Sequence, residues 1–140
     1  MQDMDLEKAS IKNIIEGRGK HLFEDLSREI IGAAVKVHKA LGPGFLENIY
    51  EEALKIEFTG MGFHHDSQKE IKIMYQGVEI GTHRLDLIVE GQIILEIKAV
   101  KELADIHFAQ LRSYLKATDL KIGLLLNFSK STLEVKRIVN

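Results

Sequence analysis

The sequence predicts one α/β domain built on a mixed central sheet with helices on its faces. Three observations predict it. Two amphipathic helical patterns open the main body of the chain, three strand-like stretches with short turns follow, and a third helix leads to one more apolar strand. The order is α-α-β-β-β-α-β with a short final strand. Three meandering strands and a helical crossover require both antiparallel and parallel neighbours in one sheet.

Residues 1–20 are polar and charged, with scattered Ile11, Ile14 and Ile15, and read as a flexible or weakly helical leader to a domain over 21–140. Ile15-Glu16-Gly17-Arg18 matches a protease site common in expression vectors, which gives part of the leader a vector origin as one explanation. Ser27 is the expected N-cap of a first helix running to about Leu41, with Ile30, Ala34, Val37 and Leu41 at helical spacing. Gly42-Pro43-Gly44 ends it. A second helix is expected from about Leu46 to Thr59, burying Ile49, Ala53, Leu54 and Phe58. Strands follow at Glu70–Tyr75, Val78–Val89 and Gln92–Val100, separated by turns at Gln76-Gly77 and Glu90-Gly91. The third helix, Asp105–Ala117, sets Phe108, Leu111 and Leu115 on one face. The apolar run Ile122–Asn127 reads as a central strand, and Leu133–Val139 as a last short one.

Composition narrows the classes. The 140 residues suit one domain with a real core, and no apolar run approaches the roughly 20 residues that span a bilayer. Zero cysteines exclude disulfides, thiolate zinc sites and iron–sulfur clusters. A cytoplasmic protein without a membrane partner is the plain expectation. The net charge of -2 does not announce nucleic-acid binding, although bound divalent cations would offset acidic site residues.

The informative chemistry lies in His83-Arg84-Leu85-Asp86-Leu87-Ile88-Val89 and Ile93-Ile94-Leu95-Glu96-Ile97-Lys98-Ala99. Asp86, Glu96 and Lys98 sit in strands apolar enough to be buried, where an unpaired charge is costly. Strand alternation puts Glu96 and Lys98 on one face. A two-residue turn at Glu90-Gly91 would send Asp86 and Glu96 to opposite faces. A loop of odd length, with Gly91 left-handed after a type I turn, brings them to the same face and is the one expected. Two carboxylates on one face make a hard oxygen site for Mg²⁺ or Mn²⁺, which polarises a phosphodiester and acidifies water. Lys98 is then placed to hold or deprotonate that water, or to stabilise charge on the phosphate. A structural ion pair of Lys98 with either acid is the other arrangement these residues allow.

Three further groups have two readings each. Glu47, in the first turn of the second helix, is either a site acid or a favourable charge at a helix N-terminus. His107, Gln110 and Tyr114 share a face of the third helix, either toward the site or as polar surface. His64-His65-Asp66 is either a transition-metal site or, because adjacent side chains diverge, a polar loop, and the polar loop is the one expected; His38 reads as packed near the glycine turn and Tyr50 as a core or site-wall residue.

Gly44-Phe45-Leu46-Glu47-Asn48-Ile49-Tyr50 matches the G-x-x-E-x-x-Y signature, and the chain resembles the GxxExxY protein family from about His21 to Asn140. Val37-His38-Lys39-Ala40-Leu41-Gly42-Pro43-Gly44 and Gly123-Leu124-Leu125-Leu126-Asn127-Phe128 carry the resemblance further. That family lies in the PD-(D/E)xK superfamily, with cores like restriction endonucleases and RecB-like nucleases. The resemblance implies Asp86 as the lone aspartate, Glu96-Ile97-Lys98 as the E-x-K, Glu47 as the helix glutamate and outer metal ligand, and Gln110-Leu111-Arg112-Ser113-Tyr114 as the Q-x-x-x-Y. It implies that the glutamine and tyrosine orient the lysine or DNA phosphates and do not bind metal; His107, on the same helix face, is expected at the nucleic acid with them. RecB-like relatives with four cysteines carry an iron–sulfur cluster, which this chain cannot, and the 140 residues read as the bare core. The leading expectation is a Mg²⁺-dependent nuclease acting on DNA in repair, recombination or defence. The alternative is a non-catalytic binding module of the same fold, acting as a homodimer or as an accessory subunit of a larger DNA-processing partner.

Overall fold

The computed structural model describes residues 23–140, so the expected leader at 1–20 lies outside them. Helix α1 (23–41) starts before the expected cap. Ser27 lies within it, 4% exposed, and its hydroxyl has no partner. Phe23 and Leu26 continue the stripe of Ile30, Ala34, Val37 and Leu41 toward the N-terminus. Burying Leu26 and part of Phe23 outweighs a cap worth ~1 kcal/mol.

Helix α2 (Glu47–Gly60) buries Tyr50, Glu51, Leu54 and Phe58. Ile49, expected in the core, is 41% exposed. One residue ahead of Tyr50, it is turned about 100° away from the stripe that Tyr50, Leu54 and Phe58 define.

The remaining elements are β1 (His65–Tyr75), β2 (Val78–Val89), β3 (Ile93–Lys98), α3 (Asp105–Thr118), β4 (Ile122–Asn127) and β5 (Glu134–Val139). They form one five-stranded sheet in the order β1-β2-β3-β4-β5. The β1-β2-β3 meander is antiparallel, β4 runs parallel to β3 after the α3 crossover, and β5 returns antiparallel. The mixed sheet that the sequence predicts is the sheet that forms. Strand β1 begins earlier than Glu70, so His65 and Asp66 pair with Val89 and Ile88 instead of forming a loop.

The β2–β3 connection has the expected odd length, because Val89 pairs with Ile93 across three residues. Its conformation differs from the expected one. Glu90 (φ 55°) and Gly91 (φ 63°) are both left-handed, and Gln92 N–H donates to the Val89 carbonyl at 3.0 Å. A non-glycine residue in that region needs support. Glu90 receives it from the neighbouring strand: its N–H donates to His64 O at 2.7 Å, and its carboxylate accepts His64 N–H at 2.6 Å.

Two apolar layers sandwich the sheet. One joins α1 and α2 to Leu87, Val89, Ile93, Leu95, Ile97, Leu124 and Leu126. The other joins Leu111 and Leu115 of α3 to Leu85, Ile88, Ile94, Leu125 and Ile138. Helix α3 reaches the sheet at Gly123, where a Cβ would lie 2.7 Å from Leu111 Cδ1. Gly123→Val is therefore expected to lower stability by about 1–3 kcal/mol through overpacking. A chemical denaturation midpoint equal to that of the parent would refute the close-approach account. Among the described residues no helix is long and apolar enough to cross a membrane.

Candidate functional site

The β2–β3 ladder stops at Leu87↔Leu95, although β3 continues to Lys98. Continuing its register sets Asp86 opposite Glu96. The strands separate there, and the Asp86 side chain fills the gap: Ile97 N–H donates to Asp86 Oδ2 at 2.8 Å. On the other side, Gln68 of β1 faces Asp86 but takes φ 53° and drops out of the ladder between Ser67 and Lys69. The alternation of β2 also breaks at this point. Leu85 and Ile88 pack on the α3 layer, whereas Leu87 and Val89 pack on the other. Asp86 thus sits where regular strand pairing fails on both edges.

Glu96 is buried, and its Oε1 has no hydrogen-bond partner. Burial, then the neighbouring Asp86 carboxylate, pushes its pKa up to about 8, while Lys98 pulls it down. Lys98 influences Glu96 through space. Among the described residues it forms no salt bridge with either acid. The ion-pair alternative is therefore absent from this arrangement.

Glu47 opens α2 and its Oε1 accepts Ala99 N–H at 3.3 Å, fastening the helix start to the chain just beyond Lys98. Its position comes from the glycine turn before it. Tyr50 Oη donates to Gly42 O at 2.7 Å and accepts Phe45 N–H at 3.1 Å, while its ring stacks on Phe128 at 4.3 Å. Glu47 and Asp86 line one cavity of about 180 Å³ together with Asn48, Glu51, Gln68 and Ile97.

On the α3 side, Tyr114 lies close enough to Glu96 and Asp86 that their charges, after burial, raise its pKa. Its ring stacks on His83 at 4.0 Å, with Oη 3.4 Å from His83 Nδ1. Gln110, one turn earlier, is exposed. His107 acts locally, its Nδ1 accepting Ala104 N–H at 2.9 Å at the start of α3. His38, buried, places Nε2 2.8 Å from Lys130 O, and His64 pairs with Asp66 at 3.5 Å. Among the described residues no three His, Cys, Asp or Glu side chains converge as a ready metal cage. The acids instead flank Asp86, Glu96 on the strand beside it and Glu47 across the cavity.

Sequence reasoning misses four contributors. Glu51 is buried, accepts Gln68 Nε2 at 2.8 Å, and has its pKa raised by burial and by Asp86. Its i, i+4 relation to Glu47 is a usable signal. Gln68 and His83 carry none, because their roles arise where the sheet meets the helices, Gln68 at Glu51 of α2 and His83 at Tyr114 of α3. Asn127 is fully buried and clamps the segment after β3. Its amide donates to Val100 O at 2.8 Å and its carbonyl accepts Val100 N–H at 3.1 Å.

The donor set fits a divalent cation: hard carboxylate oxygens, one of them buried and unpaired. No curated protein matches the chain. The crystal structure of SSO0001 resembles it in fold, with a TM-score of 0.50 and 23% identity over 66% of this chain. This chain spans about half, 49%, of that one. The family model of the PD-(D/E)XK nuclease superfamily matches residues 24–138, and to that superfamily the chain belongs.

Proposed function

We propose that the protein is a divalent-metal-dependent nuclease that hydrolyses phosphodiester bonds of DNA, in repair, recombination or defence. The observation that carries it is the pairing of Asp86 with a buried Glu96 whose Oε1 lacks any partner, with Lys98 two residues on. A pure scaffold has no use for a buried carboxyl oxygen left without a partner, which costs stability.

In this reading Asp86 and Glu96 hold Mg²⁺ or Mn²⁺, with Glu47 as an outer ligand. The bound ion supplies Lewis acidity toward the phosphate and lowers the pKa of water. Lys98 orients or deprotonates the attacking water, or takes up charge on the phosphate. Tyr114, Gln110 and His107 face the DNA backbone along α3. The resemblance to the GxxExxY family, a cytoplasmic location, and a homodimer or larger DNA-processing assembly belong to the same proposal.

The mild net negative charge and, among the described residues, the lack of a three-ligand cluster favour a second reading, a non-catalytic binding module. Incubation with single-stranded and duplex DNA plus Mg²⁺ or Mn²⁺ separates them. Cleavage that falls by a factor of about 10² or more in Lys98→Ala is expected from loss of a charge-stabilising or proton-transferring group. No cleavage by the parent, or equal cleavage by the variant, would leave the binding module.

A further inference from the structure

The glycine turn before α2 carries an apolar surface that the catalytic reading does not use. Phe45 is 46% exposed, Leu46 77% and Ile49 41%, all within one turn of Glu47. Leu46 also occupies the N-cap of α2 and gives it no side-chain hydrogen bond. Ser, Thr, Asp or Asn there would satisfy an orphan N–H. An exposed leucine at that place forgoes a cap and gains no burial, so folding alone does not account for it.

The surface is concave and held rigid. Phe45, Leu46, Glu47, Asn48, Ala99 and Ser129 line a cavity of about 500 Å³. Phe45 N–H is fixed to Tyr50 Oη, and its ring meets the Tyr50 ring edge-on at 6.1 Å. Glu47 and Asn48 line this cavity and also the smaller one that contains Asp86. One continuous surface therefore runs from Asp86, past Glu47, to the apolar shelf, with Glu96 on the strand beside Asp86.

We infer that the shelf of Phe45 and Leu46 receives an unpaired nucleobase next to the phosphate held at Asp86 and Glu96, which makes single-stranded DNA the substrate class. The inference rests on the nuclease reading for the placement of that phosphate. A duplex hides base faces in its stack, whereas a single strand presents them to aromatic and aliphatic side chains. Asn48 and Ser129 at the rim offer polar groups to the base edge. The acidic cavity beside the shelf suits a cation–phosphate pair and not a second apolar group, so strand polarity along the surface is phosphate inside, base outside.

The test uses the full chain, a fluorescently labelled single-stranded oligonucleotide and the matching duplex, with Ca²⁺ for binding and Mn²⁺ for cleavage. Two variants are compared, Phe45→Ala/Leu46→Ala and Leu46→Asn. The second restores a cap, so it keeps or raises the unfolding midpoint while removing half of the shelf. Both are expected to weaken single-strand binding, the double variant roughly tenfold or more, and to leave duplex binding unchanged. Unchanged single-strand binding in both variants, or equal losses on both substrates, overturns the shelf, as does a parent that binds neither DNA. Shelf-dependent binding without cleavage keeps the shelf and removes the catalytic reading. Cleavage without shelf dependence does the reverse.

Discussion

Glu96→Gln is expected to raise the unfolding midpoint of the metal-free protein at pH 8–9 and to leave it nearly unchanged at about pH 5. Burial and the Asp86 carboxylate hold Glu96 at about 8, against 4.5 for the free side chain. Between those values the folded chain retains a proton that the unfolded chain has lost. Unfolding then releases a proton, so stability falls as pH rises through this window and levels off above it. The loss is at most about 5 kcal/mol, since each tenfold change in proton affinity is worth about 1.4 kcal/mol. Glutamine has the shape of the protonated acid and carries no such penalty. If Glu96 holds a divalent cation as proposed, the ion would take the proton's place, so Mg²⁺ or Mn²⁺ should raise the parent's midpoint most at pH 8 and leave the variant's almost unmoved. Midpoints followed from pH 5 to pH 9, with and without the ion, decide the matter. Parallel curves for parent and variant would mean that Glu96 is neither strained nor a ligand.

The extent to which such a site is readable in advance depends on whether its parts are local. The strand positions are visible because Leu85–Val89 and Ile93–Ile97 are apolar and interrupted only by charged residues that apolar packing does not want. The odd length of the loop follows from one parity argument, and Val89↔Ile93 bears it out, whereas the break in alternation at Asp86 is not legible. Glu90's left-handed backbone is not legible, since it depends on His64, 26 positions away. Ser27 misleads for the opposite reason. Its cap chemistry is local and plain to read, but the burial of Phe23 and Leu26 against the core is not. Glu51 shows the same limit: a glutamate between Tyr50 and Leu54 looks like surface until β1 brings Gln68 over it. The sequence pattern therefore conveys which residues are out of place, and only the assembled sheet shows what meets them.

Tyr50 offers the second large effect, and two substitutions divide it into parts. Tyr50→Ala empties a fully buried ring site beside Phe128 and is expected to cost about 3–5 kcal/mol. Tyr50→Phe keeps the ring and removes only the hydroxyl, leaving Gly42 O and Phe45 N–H without their partner, at about 1–3 kcal/mol. The interest lies in what else the phenylalanine changes. Side chains on a helix lean toward its N-terminus, so a tyrosine one turn after Glu47 reaches back over the glycine turn that launches α2. Through that turn the hydroxyl fixes where Glu47 begins the helix and where its carboxylate meets Ala99 N–H. Tyr50→Phe is thus expected to remain folded yet to reduce DNA cleavage several-fold more at low Mn²⁺ than at saturating Mn²⁺, because a loosened Glu47 weakens ion retention first. Cleavage and unfolding midpoints measured on the same preparations separate the two roles. If cleavage at saturating and at low Mn²⁺ falls by the same factor, Tyr50 acts on stability alone, and the three-residue spacing from Glu47 to Tyr50 serves only the core.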